Sequence, residues 1–212
     1  MSNYTVYTVG HSTHPIEIFI GFLEKQQINC LIDVRSTPYS QYNPQYNKEL
    51  LQETLKQNNI LYAHFGKEFG ARYTSPSLLD TKGRVDFAKV RASENFQEGV
   101  VRLENALNQG YRVVIMCSEK EPLNCHRFSM ISYHLAKEGF NILHIMEKGE
   151  VISNDVLEKV MLNKYHQKIP QTDLFTHVTL EEQLEAAYKL CGQDVAYHPQ
   201  EFNIQDDEEN KS

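Results

Sequence analysis

Five short runs of β-branched and aromatic residues, each followed by a segment with helical apolar spacing, constrain this chain more than any other feature. The runs are "YTVYTV" (4–9), "CLIDV" (30–34), "ILYAHF" (60–65), "YRVVIMC" (111–117) and "FNILHIM" (140–146). Between the first two lies "PIEIFIGFLEKQQ", where Pro15 suits the first helical position and Ile16, Phe19, Ile20 and Leu23 share one stripe. Further stripes fall at Leu51 and Leu55, at Phe96, Val100, Leu103 and Leu107, and at Phe128, Ile131 and Leu135. Parallel neighbours need a crossover connection, and each crossover helix must bury its stripe against the sheet. The expected fold is therefore α/β: a three-layer sandwich around a mostly parallel sheet of about five strands.

The alternation stops near residue 165, which divides the chain into an α/β domain over 1–165 and a C-terminal helical appendage with an acidic tail over 166–212. Asn154 or Asp155 can cap one more helix before that boundary. Beyond it, "TLEEQLEAAYKL" holds a capping box, Thr179 with Glu182, and an apolar stripe at Leu180, Leu184 and Tyr188. Such a helix should dock on the domain or meet a partner. The end after about 203 is expected to fray. Residues 201–212 carry five acids and one lysine, so most of the net charge of −7 lies there and the body is close to neutral. That balance disfavours non-specific binding to a nucleic-acid backbone, which needs a basic footprint, while leaving room for a local basic pocket. No segment is apolar enough to span a membrane and the start lacks a secretory signal pattern, so the expected setting is cytoplasmic, without a membrane partner. The four cysteines, Cys30, Cys117, Cys125 and Cys191, are too sparse for a disulfide framework and are expected to be reduced.

In an open parallel sheet, ligands bind beyond the carboxyl ends of the strands. Here those ends are unusually polar. The first run leads into His11 and Ser12, the second includes Asp33 and leads into Arg35, the third leads into Lys67, and the fourth ends on Cys117 ahead of Glu119. After the fourth, Asn124 can cap the next helix and place Cys125, His126 and Arg127 in its first turn. The amides and dipole of that turn favour an anion, Arg127 adds a planar fork, and the same field lowers a thiol pKa. Structural readings stand beside these. Either cysteine can be a small buried residue, and Arg127 can pin its loop through Glu119 or Glu121. "DVR" can be an ion pair at a strand terminus, and Tyr39, Tyr42 and Tyr46 can pack their long loop rather than stack on a ligand.

The motifs "TVGHST" (8–13), "LIDVRSTPYSQYNPQYNKELL" (31–51), "FGKEFGAR" (65–72), "GRVDFAKV" (83–90) and "CSEKEPLNCHR" (117–127) occur in order. Together they give the chain a close resemblance, over about residues 4–165, to the bacterial family called domain of unknown function 488. The resemblance implies an α/β fold and a shared pocket for His11, Ser12, Asp33, Arg35, Cys117, Glu119, Cys125, His126 and Arg127. Where the family commonly has a basic residue, this chain has Gln41, which removes one implied anion contact. The family supplies no reaction, only an association of some members with DNA repair. A weaker similarity to rhodaneses lies in "LIDVR" followed by strand, cysteine, loop and helix. Nine residues separate Cys117 from Arg127, however, too many for the tight anion loop of those enzymes.

The leading expectation is an enzyme, a cysteine-dependent hydrolase or transferase, acting on a small anionic or sulfur-bearing molecule. Cys117 would be the nucleophile, His126 or His11 the acid or base with Glu119 and Cys125 nearby, and Arg35 with Arg127 the anion clamp, beside His11, Ser12, Asp33 and Lys67. The alternatives are a nucleotide- or nucleic-acid-processing protein, with Arg35, Lys67, Arg72 and Arg127 on phosphate and the tyrosines on bases, and a non-catalytic sensor of a small ligand. A metal on Cys117, Cys125 and His126, with His11 or His14, ranks lower because adjacent Cys125 and His126 do not easily ligate together. No cofactor is expected.

Overall fold

The computed structural model describes residues 4–199. Its sheet has six strands: β1 (Thr5–Gly10), β2 (Cys30–Asp33), β3 (Leu61–His64), β4 (Val113–Cys117), β5 (Asn141–Ile145) and β6 (Val151–Ser153), in the order β3-β2-β4-β1-β5-β6. All neighbours are parallel except β5 and β6. The sixth strand is the one the sequence reading lacked: three residues returning after a turn are too short to show a period of two.

Helices cover both faces. On one face α1 (Ile16–Lys25) and α2 (Lys48–Gln57) bury Phe19, Leu23, Leu51 and Leu55 against Leu31, Val114 and Met116. On the other lie short α3 (Gly66–Phe69) and α4 (Phe87–Arg91), long α5 (Glu94–Asn108), and a π-helix (Arg127–Ser132) continuing into α6 (Tyr133–Lys137). This second face buries Phe96, Val100, Leu103, Met130, Ile131 and Leu135 against Ile32, Val113 and Ile115. The split follows from the strands themselves, since successive side chains of β4 point to opposite faces. The chain is a three-layer α/β sandwich.

α7 (Asn154–Tyr165) and α8 (Leu180–Val195) form a third cluster in which Leu157, Met161, Tyr165, Ala187, Tyr188 and Cys191 pack with Phe128 of the π-helix. The C-terminal helix therefore docks on the α/β core rather than standing free. Its capping box is present: Thr179 Oγ1 accepts from the Glu182 amide, and Glu182 accepts from the Thr179 amide. Leu180, placed on the apolar stripe by spacing, is 62% exposed, because the buried face turns toward Ala187 and Cys191 instead. The expected fraying after 203 lies outside the described residues.

The topology decides where a site can form. The connection leaving β1 passes to β2 on one side, while the one leaving β4 passes to β5 on the other. The crevice at the carboxyl ends of adjacent β1 and β4 is therefore the topological switch point, where open α/β sheets place ligands.

Candidate functional site

At that crevice the chain after β1 stays paired with the chain after β4: the His11 amide donates to the Cys117 carbonyl at 2.9 Å and the Ser12 amide to the Ser118 carbonyl at 3.0 Å. Gly10 lets the next segment cross over it. A Cβ there would lie 1.9 Å from the Glu119 carbonyl oxygen, so only glycine fits. Ser12 turns the chain away in the left-handed region at φ 50°.

The predicted residues gather at this one edge in two groups, on opposite faces of the sheet. His11, Asp33 and Arg35 lie on the α1–α2 face. Asp33 Oδ1 and Oδ2 accept from Arg35 Nε and Nη2 at 2.9 and 2.6 Å, and Oδ2 also accepts from the Tyr62 hydroxyl at 2.9 Å. Arg35 Nη2 reaches the Tyr46 carbonyl at 2.8 Å as well. His11 Nδ1 lies 2.8 Å from the Ser12 carbonyl, which can only accept, so Nδ1 carries the proton and Nε2 accepts from Arg35 Nη1 at 3.3 Å. Burial and then the Arg35 charge lower the His11 pKa to about 4, and its neutral ring stacks on Tyr46 at 4.1 Å. The guanidinium of Arg35 is thus largely engaged within the protein. Tyr46, read from the sequence as packing its loop or stacking on a ligand, is wholly buried and accepts from Arg35 through its carbonyl, whereas Tyr62 was missed as a partner because it sits within an apolar strand run. Lys67 is exposed on α3, and Tyr39 and Tyr42 are 63% and 93% exposed on the loop after β2.

The second group lies on the π-helix face. Cys117 and Cys125 Sγ are 2.8 and 3.0 Å from the same Glu119 Oε2, and 3.7 and 3.8 Å from His126 Nδ1. Cys117, Cys125 and His126 are buried; Glu119 is the exposed member, its carboxylate turned in over the sulfurs. Two features make adjacent Cys125 and His126 converge. Pro122–Asn124 form a 3-10 turn that ends with Cys125 extended (φ −139°, ψ 142°), and His126 opens the helical stretch at φ −60°, ψ −23°. Cys125, not Asn124, therefore caps the helix: its carbonyl accepts from the Phe128 amide, and its sulfur accepts from the Arg127 amide at 3.4 Å.

Arg127, wholly buried, holds the loop shut by donating from Nη1 to the Glu119 carbonyl at 2.5 Å and from Nη2 to the Lys120 carbonyl at 2.9 Å. Its fork is spent on backbone carbonyls, so Arg127 pins the loop, but not through the Glu119 or Glu121 carboxylates that the sequence offered. The six-residue π turn that follows is closed by Ser132 Oγ donating to the Arg127 carbonyl at 2.8 Å, and π turns inside helices are frequent at functional sites. His126 Nε2 and Arg127 Nε are buried without a hydrogen-bond partner among the described residues.

The two sulfurs are inequivalent. Burial, then the neighbouring Cys125 and Glu119, push the Cys117 thiol well above its ordinary value. Burial also opposes ionisation of Cys125, but the hydrogen bond from Cys117 and the Arg127 and His126 charges outweigh it and hold Cys125 well below. Burial and the Cys125 charge raise Glu119; His126, which burial alone would lower, is raised by Cys125 and Glu119. Of the two sulfurs, the surroundings of Cys125 favour the ionised form and those of Cys117 the neutral one.

A family model described as domain of unknown function DUF488 matches residues 15–134, more than half of the chain. The chain belongs to the DUF488 family. No curated protein and no solved structure matches it. The DUF488 match includes Asp33, Arg35, Lys67 and the whole of the Cys117–Arg127 loop, and leaves His11 and Ser12 just outside its start.

Proposed function

We propose that this DUF488 protein is an enzyme, a hydrolase or transferase in class, that uses the Cys125 sulfur on a small anionic or sulfur-bearing molecule. The observation that carries the reading is the convergence of two sulfurs, a carboxylate and an imidazole at the switch-point crevice, with Glu119 as the exposed member. Cys125 is preferred to Cys117 as nucleophile because its sulfur caps the helix and accepts the Arg127 amide, a position that favours sulfur in its anionic form. In the reaction Cys125 Sγ bonds to the electrophilic atom of the substrate as the bond to the leaving group breaks. The His126 proton goes to that leaving group. Lys67, exposed on α3, supports attraction of an anion to this edge. Four free thiols fit a reducing, cytoplasmic setting.

The test is alkylation of the metal-free protein with iodoacetamide across pH, for the parent, Cys117→Ser and Cys125→Ser. One fast thiol with a depressed apparent pKa, lost in Cys125→Ser and kept in Cys117→Ser, is the expected result. Uniformly slow thiols would remove the reading. A second reading, nucleotide or nucleic-acid processing with its DNA-repair association, is favoured by exposed Tyr39 and Tyr42, which are free to stack on bases. Binding of single-stranded oligonucleotides that weakens in Tyr42→Ala would select it.

A further inference from the structure

The same four side chains have a geometry that acid–base chemistry alone does not require. A tetrahedral zinc-class ion with bonds of about 2.3 Å to sulfur and about 2.0 Å to nitrogen or oxygen sets each sulfur roughly 3.5 Å from the nitrogen and oxygen donors. The two Sγ–Nδ1 distances, 3.7 and 3.8 Å, lie within about 0.3 Å of that spacing, and all four donor atoms lie within 4.8 Å of one another. The Sγ–Oε2 distances of 2.8 and 3.0 Å are shorter, so the carboxylate must back off by about half an ångström or a little more. Glu119 is the member able to do so: it is exposed, whereas the other three are fixed by a strand end and a helix start.

The sequence objection, that adjacent Cys125 and His126 do not easily ligate together, is met by the local backbone. The extended-to-helical break at Cys125 brings Sγ and Nδ1 of neighbouring residues to one point. The buried imidazole is also poorly served without an ion. Its Nδ1 has only long contacts to sulfur, and its Nε2 has no partner among the described residues.

We infer that Cys117, Cys125 and His126, closed by Glu119, form a binding site for one zinc-class divalent cation. Two sulfurs with one imidazole select a soft or borderline ion over magnesium or calcium. Among the described residues His126 Nε2 meets no outer carboxylate or carbonyl of the kind that usually fixes a ligating ring, which points to an exchangeable rather than a permanently structural ion. The inference rests on this cluster being the working centre and adds its regulation. In the loaded protein both sulfurs are ligands and neither can attack, so the cation masks the thiol and its removal unmasks it.

The experiment strips the full chain with a chelator under reducing conditions, titrates Co²⁺ by absorption, and then displaces it with Zn²⁺. The expected result is one equivalent per chain, with an intense thiolate-to-cobalt charge-transfer band that Zn²⁺ abolishes. Cys117→Ser and Cys125→Ser should each weaken binding by more than about tenfold, while Cys30→Ser, outside the cluster, binds as the parent does. Glu119→Gln should keep the sulfur band. No band in the parent, or a band that survives both cluster substitutions, overturns the site. Should the cysteine variants fail to fold, peptide-level alkylation of the parent decides. Stoichiometric Zn²⁺ must protect Cys117 and Cys125, and absence of protection overturns the site. The two readings fail separately. A stripped protein with a fast Cys125 and no metal binding keeps the enzyme reading and removes the metal site. A protein that binds Zn²⁺ but has slow thiols when stripped keeps the site and removes the thiolate reading.

Discussion

Gly10 illustrates how a single residue sets the site. Its missing side chain is the space through which the Glu119 carbonyl passes, and the same carbonyl is the one that Arg127 Nη1 grips. Gly10→Ala is therefore expected to displace the 119–120 segment and the Glu119 carboxylate with it. The cost should be roughly 1–3 kcal/mol of overpacking, read by urea denaturation. Because Glu119 shares Oε2 between both sulfurs, the alkylation rate of Cys125 should change in the same variant. An alanine variant with parent stability and parent thiol kinetics would show that the loop relaxes freely. At this scale the candidate residues after β4 were legible in the sequence, since cysteine, histidine and arginine cluster within eleven positions. The commitment of Arg127 to backbone carbonyls was not, because an arginine's partners depend on loop path rather than on its neighbours in sequence.

Among the elements, the π-helix is the joint between the site and the C-terminal helix. Its first residues hold the Cys125–Arg127 turn, and Phe128 packs with Tyr188 of α8 at a ring separation of 5.1 Å. Cys191 of α8 also reaches the Leu123 carbonyl, in the 3-10 turn ahead of Cys125, at 3.4 Å. Thr179→Ala removes one arm of the capping box and should cost about 1 kcal/mol, measured by urea denaturation. A loss well below this would mean that packing at Tyr188 and Cys191 holds α8 without help from its first turn. The helical character of 128–135 was readable, but not its π start, and Phe128 packs with α7 and α8 while Ile131 and Leu135 face the sheet. A π turn adds one residue, so positions three apart no longer share a face, and the sequence does not mark where the extra residue falls.

For the molecule as a whole, two neutral histidines on opposite sides of the sheet tie stability to pH. His144 accepts from Thr8 Oγ1 at 2.8 Å and donates to Asn154 Oδ1 at 3.1 Å, and burial lowers its pKa to about 4. His11, lowered to about 4 by burial and then by Arg35, behaves alike. Below the unfolded value of about 6.5 the unfolded chain takes up protons that the folded one refuses. Stability is then complete above about 6.5, falls as pH drops toward 4, and levels below it. The loss is up to about 3 kcal/mol per histidine. Urea denaturation at pH 7, 5.5 and 4.5 should show this fall, and His144→Gln should flatten it in part. An unchanged slope in that variant would remove His144 as a source.

Local spacing and strand-end chemistry determined the α/β class, the helix stripes at Leu51, Leu55, Phe96 and Leu103, the capping box at Thr179, and the edge on which polar residues meet. These are properties of neighbours along the chain, where a period of two or of 3.6 writes itself directly. Tertiary structure alone decided three things: that β1 and β4 are adjacent at the switch point, that His11, Asp33 and Arg35 stand on one face while the cysteines stand on the other, and that Cys125 and His126 point at one spot. The physical reason is that strand order and the direction of each crossover are set by which helix stripe buries on which face. That is a choice among whole arrangements, made by the core and not by any one segment.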